Sequence, residues 1–474
     1  MLTQLEFQNF KSWKRTENIH IAPLTGFFGT NSSGKTSILQ FLLMLKQTVE
    51  SSDRQRVLHT GDDKTYVYLG TYYDISHRHE LAPIDFSMNW TLPKPLKIID
   101  PESSKNRPLF TADALAFQAS IALKSNNISV NKFQYSFQHE SSQYAFGMQR
   151  QVRPNNGQTN DDQIIDNLTS TNQKYELVTD GYEAKRVRGR GWALPKPIKT
   201  YGFPDQSSGY YQNTGFLSDF VLAFEELFHD LYYLGPLREY PNRSYAWAGE
   251  RPQDVGRRGE LAVQALLASR SLPKLSRGRG RKKLTVEEMV AKWLKELGLI
   301  DEFRLEEIAE NRKDYEVKVR RKSEASEALI TDVGFGVSQI LPVLVLCYYA
   351  PPGSTIVLEQ PEIHLHPSIQ AGLADVFIDA IKTRRIQIIV ESHSEHLLRR
   401  LQRRIAESEE ITNEETALYF CDLNKSGQSV LTNLNVDPYG NISNWPDQFF
   451  GDEMGELIKM AEAAMNRKMS EEAV

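Results

Sequence analysis

Apolar residues recur along the chain with two different periods, and each period predicts a different kind of element. The stretch "TSILQFLLMLKQTV" (36–49) has the i, i+3, i+4, i+7 spacing that places apolar side chains on one helix face. That face consists of Ile38, Phe41, Leu42 and Leu45. Residues 83–150 instead alternate apolar and polar positions, most clearly in "NKFQYSFQ" (131–138), which is typical of antiparallel β structure. The chain is therefore expected to combine helices with a β-rich region.

Two further helices are predicted in the middle of the chain. The stretch "LSDFVLAFEELFHDL" (217–231) carries most of its apolar residues on a single stripe. In "TVEEMVAKWLKELG" (285–298), Thr285 and Glu288 have the spacing of a capping box, and Gly298 marks the end of the helix. No long heptad run appears in the sequence, so a coiled-coil arm is not expected.

The stretch "LTGFFGTNSSGKTS" (24–37) predicts a phosphate-binding loop between a strand and a helix, because it fits the pattern G-x-x-x-x-G-K-[ST] in full. Backbone N–H groups of such a loop and of the helix N-terminus surround phosphate groups. Lys35 adds a positive charge, and the Thr36 hydroxyl is placed to bind Mg²⁺. The residues expected to bind the nucleotide here are Gly29, Thr30, Asn31, Ser32, Ser33, Gly34, Lys35, Thr36 and Ser37.

A second glycine-containing segment lies in "ALITDVGFGVSQILPVLVL" (328–346). Gly334 and Gly336 precede a helix that is predicted to begin near Ser338. Pro342 then falls close to the first turn, where N–H groups lack intrahelical partners and proline is tolerated.

Two apolar strands follow this segment, and both end in polar residues. The first, Ile356 to Leu358, ends in Glu359, and a carboxylate at a strand end is what a magnesium–nucleotide site requires. The second, within "IQIIVESHSEHLL" (386–398), ends in Ser392 and His393.

Composition narrows the class of protein. The chain has 474 residues, with 56 Lys+Arg against 61 Asp+Glu and a net charge of -5, which argues against a generally basic nucleic-acid coat. Cys347 and Cys421 cannot form a disulfide framework and are expected to be small apolar residues. The N-terminus lacks a signal pattern, and the most apolar stretch, residues 340–350, is too short to cross a bilayer. A cytoplasmic protein without a membrane partner is expected.

The order of these motifs resembles that of the ABC-type ATPase heads. These include SMC proteins, double-strand-break repair ATPases and the overcoming-lysogenization-defect (OLD) nucleases. The segments 68–79, 233–247 and 441–453 are more specifically similar to a bacterial family that joins this AAA-type ATPase to a C-terminal domain of unknown function. Several relatives in that family serve in anti-phage defence. The resemblance covers both ends of the chain, whereas residues 85–225 contribute little to it.

The resemblance implies roles for individual residues. Glu359 matches the strand-end acid that holds Mg²⁺, normally an aspartate, so the metal is expected to be reached through water. His393 matches the switch histidine that contacts the γ-phosphate. The signature segment, which in such heads reaches the γ-phosphate of the partner subunit, is matched by Gly334, Gly336, Ser338 and Gln339. The resemblance therefore implies ATP and Mg²⁺ as cofactors, and two heads that enclose two ATP molecules.

Gln360 departs from the pattern of the ABC-type heads. In those heads this position is usually a glutamate that polarises the attacking water, whereas an amide can orient water but cannot accept its proton at neutral pH. Glu362 is the candidate substitute for the missing base, and the alternative is that it only caps the following segment. Zinc at His364 and His366, or at His393 and His396, is not expected, because no cysteine joins them and both loops already have nucleotide roles.

These observations predict an α/β protein: an ABC-type ATPase head with a mixed sheet around the phosphate loop, interrupted by a compact β-rich and helical insert. The predicted divisions are the N-terminal part of the head (1–82), a β-rich insert (83–225), a helical or lid subdomain (226–328), the C-terminal part of the head (329–420) and a C-terminal extension (421–474). The polar stretch 154–174 is predicted to be a mobile loop.

Three basic features have more than one interpretation. The runs "KRVRGRGW" (185–192) and "SRGRGRKK" (276–283) either follow a nucleic-acid backbone or form solvated loops, and the sequence does not choose between them. Arg238, just after a predicted strand in the segment "YLGPLR" (233–238), is expected to act near the nucleotide or at the contact between heads.

The expected function is an ATPase head that forms a dimer or larger oligomer and controls a separate effector protein in bacterial anti-phage defence. The alternative is a DNA-binding repair or processing ATPase related to SMC or OLD proteins. Nuclease activity is not expected in this chain, because the residues after "ALYFCDL" (417–423) lack a cluster of acids. The sequence names neither the effector, nor its trigger, nor the number of subunits.

Overall fold

The computed structural model describes residues 1–99, 108–124, 126–151, 174–189, 193–278, 280–309, 312–321, 326–446 and 458–465. The loop predicted at 154–174 lies outside these residues except for its last position, as do parts of the two basic runs and of segment 441–453.

The strands of the described residues are β1 Leu2–Phe10, β2 Trp13–Arg15, β3 Ile19–His20, β4 Leu24–Gly29, β5 Ile84–Ile99, β6 Pro108–Lys124, β7 Asn127–His139, β8 Ser142–Arg150, β9 Tyr175–Asp180, β10 Leu231–Leu234, β11 Tyr245–Ala246, β12 Glu302–Glu307, β13 Asp314–Arg320, β14 Ala328–Leu329, β15 Thr355–Glu359, β16 Gln387–Glu391, β17 Thr416–Leu423 and β18 Ser429–Asn433. The helices are α1 Lys35–Glu50, α2 Tyr72–Ile75, α3 Gln206–Tyr210, α4 Leu217–His229, α5 Ala262–Ser269, α6 Val286–Glu296, α7 Phe335–Tyr349, α8 Pro367–Arg384 and α9 Glu395–Glu407.

A six-stranded sheet forms the centre of the nucleotide-binding half, in the order β10-β15-β16-β4-β17-β18. The pairs from β10 to β17 are parallel, and only β17–β18 is antiparallel, so the sheet is mixed as predicted. Its inner strands are apolar and almost wholly buried, as expected for a parallel sheet that is covered on both faces. The α/β fold class predicted from the sequence is confirmed.

A second sheet is antiparallel and contains β5 to β9, which confirms the β structure predicted from the alternation in 83–150. The same sheet also includes the N-terminal hairpin of β1 and β2, because β1 pairs with β5. Aromatic side chains connect it to helices of the neighbouring layer: the Phe7 ring stacks on Phe41 of α1 at 4.5 Å, and the Phe117 ring lies 4.8 Å from Phe224 of α4. The β-rich residues are thus continuous with the N-terminal hairpin, and the five ranges given above stay a prediction.

Helices α5, α6 and α7, together with the small sheet β11 to β14, share one hydrophobic core with one face of the central sheet. The capping box of α6 is present, with the Glu288 N–H donating to the Thr285 hydroxyl at 3.1 Å. The predicted start of α7 was wrong. The helix begins at Phe335, so Gly336 is inside it and Pro342 lies in its interior rather than near its first turn. Gly259 makes room for that proline, because a Cβ atom at Gly259 would lie 2.5 Å from the Pro342 ring.

The structure also bears on the predictions about disulfide bonds, membrane-spanning helices and a coiled-coil arm. Cys347 and Cys421 are free, buried core residues, as expected. Among the helices of the described ranges, α8 is the longest at 18 residues, and none has the length and apolar composition that crossing a bilayer requires. The same ranges contain no coiled-coil arm.

Candidate nucleotide site

Four segments that lie far apart in sequence meet at one edge of the central sheet. Because β10, β15, β16 and β4 run parallel, the residues that follow each strand emerge on the same side. These residues are the phosphate loop after β4, Gln360 after β15, His393 after β16 and Arg238 after β10. In open α/β sheets this edge is where ligands bind.

The phosphate loop has the backbone conformation that its glycines allow. Gly29 and Gly34 have φ angles of 137° and 94°, and Ser32 also has a positive φ of 61°. The Lys35 ammonium donates to the Gly29 and Thr30 carbonyls at 3.0 and 2.6 Å, so it lies within the loop. Burial lowers the pKa of Lys35 below its usual value. The loop therefore encloses a cation where phosphate would bind.

Two hairpins hold Gly34 in place. The Trp13 indole N–H donates to the Gly34 carbonyl at 3.0 Å, and the hydroxyls of Ser12 and Ser429 are 2.6 Å apart beside it. A Cβ atom at Gly34 would lie 2.4 Å from the Ser429 hydroxyl and 2.8 Å from that of Ser12. The hairpins β1–β2 and β17–β18 thus shape the loop, and neither serine was foreseen from the sequence because both come from distant segments.

A pocket opens directly above the loop. It is lined by Ser12, Asn31, Ser32, Ser33, Gly34, Lys35, Thr36, Ser37, Gln360, Glu391 and His393. The structure therefore brings most of the predicted loop residues together with the predicted Gln360 and His393.

Glu391 was missed by the sequence analysis, although it is the last residue of a predicted strand. The Thr36 hydroxyl donates to its Oε1 at 2.9 Å, while its Oε2 is buried and has no hydrogen-bond partner. Burial raises the pKa of Glu391 to about 7, and the nearby Glu359 carboxylate acts in the same direction. The available signal was its place one residue before Ser392, at the end of a strand next to the phosphate-loop strand.

Glu359 lies one strand further from the loop. Its Oε2 accepts a hydrogen bond from the Tyr233 hydroxyl at 2.7 Å, and its side chain is not among those that line the pocket. Burial raises the pKa of Glu359, whereas the bond from Tyr233 and the charge of Arg238 lower it.

Gln360 has an unusual backbone conformation for its residue type. Its φ is 44°, in the left-handed region, and it directly precedes Pro361, which disfavours most alternatives to extended backbone. Its N–H donates to the Glu391 carbonyl at 2.9 Å, which ties the loop after β15 to the end of β16. Such strain is found at functional sites, and here Gln360 lines the pocket.

Glu362 contacts the histidine loop rather than the pocket. Its Oε1 accepts a hydrogen bond from the backbone N–H of His393 at 2.6 Å, and its side chain is buried. Burial lowers the pKa of His393, and the Lys35 charge acts in the same direction. These contacts favour a positioning role for Glu362, and its role as a base stays a prediction.

Arg238 is a buried cation beside these acids. None of its three guanidinium nitrogens has a hydrogen-bond partner. Burial lowers the pKa of Arg238 to about 10, while Tyr233, Glu359 and Glu362 oppose that shift through their charges. Arg238 lies at the carboxyl edge of the sheet, and its role near the nucleotide stays a prediction.

The signature segment lies elsewhere. None of Gly334, Gly336, Ser338 and Gln339 is among the described residues that line the phosphate pocket. Gly334 is exposed and precedes α7, and Ser338 lines a separate hollow with Glu239 and Tyr240.

The pocket suits Mg²⁺ in the company of phosphates. The Thr36 hydroxyl, the unpaired Glu391 oxygen and the Gln360 amide supply oxygen donors, which hard cations prefer. Mg²⁺ in nucleotide sites usually takes only one or two carboxylates, with phosphates and water completing its shell. Accordingly, the described residues contain no group of three or more His, Cys, Asp or Glu side chains arranged to hold a metal by themselves.

Three family models match the chain. The model described as an AAA ATPase domain matches residues 1–187, and a second AAA-domain model matches 268–399. The description of the second also names the AbiEii toxin and the type IV toxin–antitoxin system. These two matches support an AAA-type ATPase. A model described as a protein of unknown function, DUF3696, matches residues 411–460 of this ATPase, which confirms the predicted combination with a C-terminal domain of unknown function.

Solved structures of SMC heads are similar to this ATPase only at low identity. The SmcHead bound to the C-winged helix domain of ScpA has 11% identity and a TM-score of 0.41, covering 92% of this chain and 98% of that one. The SMC head domain from Thermotoga maritima has 10% identity and a TM-score of 0.39, covering 92% and 99%. The Smc head domain with an extended coiled coil, bound to the C-terminal domain of ScpA derived from Pyrococcus furiosus, has 9% identity and a TM-score of 0.39. The match covers 98% of this chain and 99% of that one. Such scores carry no conclusion about function. No curated protein matches the chain.

Proposed function

We propose that this AAA-type ATPase binds ATP with Mg²⁺, hydrolyses it slowly, and assembles as a dimer or larger oligomer that regulates a separate effector protein. The observation that carries the proposal is the phosphate pocket, in which Lys35, Thr36, Gln360 and His393 converge on one space. Bound Mg²⁺ would neutralise phosphate charge as the terminal phosphate departs.

Slow hydrolysis follows from the glutamine at position 360, where ABC-type heads usually have the base. Gln360 orients a water molecule through its amide but accepts no proton from it. General-base assistance is worth about 10²–10⁴-fold, so its absence leaves a long-lived ATP-bound state. His393, which lines the pocket, contacts the γ-phosphate and distinguishes ATP from ADP. Such a lifetime suits a switch better than a motor.

Assembly is supported by the location of the signature segment. The exposed Gly334 and the N-terminus of α7 lie outside the chain's own phosphate pocket, and a helix N-terminus attracts anions such as the phosphates of a second subunit's ATP. Two heads facing each other would each complete the other's site.

The assembly is tested by placing a negative charge where the second ATP would approach. Gly336→Asp should leave the isolated chain folded. An acid near a helix N-terminus stabilises the helix by about 0.3–1 kcal/mol. A Cβ atom at Gly336 would meet only Leu299 at 3.4 Å and Leu365 at 3.9 Å. Gly336→Asn has nearly the same shape without the charge. With ATP and Mg²⁺, light scattering after gel filtration should give dimers or larger species for the wild type and for Gly336→Asn, and monomers for Gly336→Asp.

Association of Gly336→Asp at wild-type protein concentration would contradict this arrangement of heads. ATP affinity of each variant, measured by calorimetry below the association concentration, separates a failure of assembly from a failure of the phosphate site.

A role in anti-phage defence is supported by the family model for 268–399, whose description names the AbiEii toxin and a type IV toxin–antitoxin system. The gene next to that of this ATPase should then encode a toxin, nuclease or reverse transcriptase. Cells that carry both genes should lose protection against phage when Lys35 is replaced by Ala. Equal protection with and without that change would contradict regulation by ATP.

A DNA-binding ATPase is the second candidate, because the described part of one basic run is mostly exposed and lies between two paired leucines. Leu275 and Leu284 pair through their backbones at 2.7 and 3.2 Å, and the residues between them include the exposed Arg281, Lys282 and Lys283. If these basic residues bind a phosphate backbone, replacing both lysines by Ala should weaken DNA binding and reduce its salt dependence. Unchanged fluorescence anisotropy would exclude it. Plasmid nicking that disappears on a point change in this chain would instead favour an OLD-type enzyme.

A further inference from the structure

The acid nearest to the phosphate loop is not the one that the sequence resemblance assigns to the metal. In the central sheet Glu359 is in register with Glu391, and Glu391 is in register with Phe27 of the phosphate-loop strand. Neighbouring strands are about 4.8 Å apart. The Glu359 backbone is therefore two strand spacings from β4, whereas that of Glu391 is only one.

The hydrogen bonds of the two acids also place Glu391, rather than Glu359, next to the phosphate loop. The Oε2 atom of Glu359 accepts from the Tyr233 hydroxyl on the side of the sheet edge that faces away from the loop. In Glu391, Oε1 accepts from Thr36, and Oε2 has no partner in hydrogen-bonding geometry although the residue is only 1% exposed. The Gln360 amide lies near enough to lower the pKa of this carboxyl, but it does not complete a hydrogen bond to Oε2. A buried oxygen without a partner is costly, and a cation bound beside Thr36 would remove that cost.

The chemistry of Thr36 is compatible with such a cation. Its hydroxyl hydrogen is donated to Glu391, which leaves the oxygen lone pairs free to bind a metal. Both residues line the phosphate pocket, whereas Glu359 does not.

We propose that Glu391 is the protein carboxylate that binds the nucleotide's Mg²⁺ directly, beside the Thr36 hydroxyl. Glu359 then acts one strand away as a positioning residue, through water and through Tyr233. The inference rests on the proposed function, because it concerns the metal that accompanies ATP.

The test uses the full chain and measures nucleotide affinity by calorimetry, once with Mg²⁺ and once with EDTA. The ratio of the two affinities reports how strongly the metal and the nucleotide stabilise each other. Glu391→Gln should reduce this ratio at least ~10-fold, the size of one lost charge-assisted contact, while retaining ATP binding in EDTA. Glu359→Gln is the matched control, because it removes the same charge at the neighbouring register position, and it should reduce the ratio less than ~3-fold.

A second readout identifies the ligand itself. Mn²⁺ replaces Mg²⁺ in the ATP complex, and electron paramagnetic resonance in ¹⁷O-water counts the water oxygens on the metal. Glu391→Ala should gain one water relative to the wild type, whereas Glu359→Ala should gain none. Thermal unfolding shows whether each variant is folded. If Glu391→Ala is unfolded, Glu391→Gln replaces it in the resonance measurement.

The assignment would be overturned if the Glu359 variants, and not the Glu391 variants, gained a metal-bound water and lowered the affinity ratio. Glu359 would then be the direct ligand. ATP binding by the wild type with no change in either Glu391 variant would also overturn it, while leaving the proposed function intact. Absence of ATP binding by the wild type in both conditions would contradict the proposed function as well.

Discussion

The Glu362 carboxylate accepts a hydrogen bond from the backbone N–H of His393 at 2.6 Å, and this contact joins the loop after β15 to the loop after β16. Because one loop carries Gln360 and the other carries His393, the bond sets the distance between the groups proposed to orient water and to contact the γ-phosphate. We expect Glu362 to act as a positioning residue through this oxygen. A base role would use its other oxygen, Oε2, which is buried without a hydrogen-bond partner.

Substitutions at Glu362 distinguish the two roles. Glu362→Gln keeps an oxygen that accepts from His393, so single-turnover hydrolysis should stay within ~10-fold of the wild type, whereas removal of a base would cost ~10²–10⁴-fold. Glu362→Ala leaves the His393 N–H without a partner, and the free energy of unfolding in urea should fall by about 1–3 kcal/mol. A loss of ~10²-fold or more in Glu362→Gln would identify the carboxylate as the base.

Gln360→Glu should accelerate hydrolysis, by up to about 10²-fold, because it introduces a proton acceptor at a position that already lines the pocket. The exchange leaves side-chain length and the positive φ unchanged, so stability should alter little. The measurement is single-turnover hydrolysis, with ATP affinity as the control. A rate equal to that of the wild type at equal affinity would show that proton acceptance does not limit the reaction.

Lys35→Ala should abolish measurable ATP binding by calorimetry, because a methyl group cannot replace the charge that lies within the phosphate loop. Lys94→Ala is the control, since Lys94 is an exposed lysine of β5 outside the pocket. Wild-type affinity in Lys35→Ala would remove the basis of the phosphate-site assignment.

Gly34→Ala should prevent ATP binding and destabilise the fold, because its Cβ atom would collide with Ser12, Trp13 and Ser429 at a φ of 94°. Gly353→Ala is a matched control: its φ is 90°, but nothing lies within 4 Å of the added Cβ atom. The left-handed conformation costs about 1–2 kcal/mol in both variants, and only Gly34→Ala adds the collision. Thermal unfolding with equal losses in the two variants would show that the contacts around Gly34 do not matter.

The phosphate loop and its helix were predictable from the sequence because every requirement is local. The strand β4, the glycines, Lys35 and the apolar face of α1 lie within residues 24–50, so residue spacing alone determines them. The same holds for the capping box of α6 and the alternation in β7.

The start of α7 was not predictable in this way. Pro342 suggested a late start, since proline is disfavoured in a helix interior. The helix nevertheless begins at Phe335, and its proline packs against Gly259 from a different part of the chain. Local propensity was outweighed by a tertiary contact that the spacing of residues does not contain.

The sequence by itself determined which chemical groups are present: a phosphate loop, two acids around Gln360, and a histidine after an apolar strand. Only the tertiary structure decided which of them meet. Strand order places β16 between β15 and β4, and this brings Glu391 to Thr36, 355 positions earlier in the chain. Hydrophobic periodicity identifies strands and their buried faces, but it does not specify which strand lies beside which. That order depends on packing over the whole domain, and here it decides which carboxylate lies beside Thr36 of the phosphate loop.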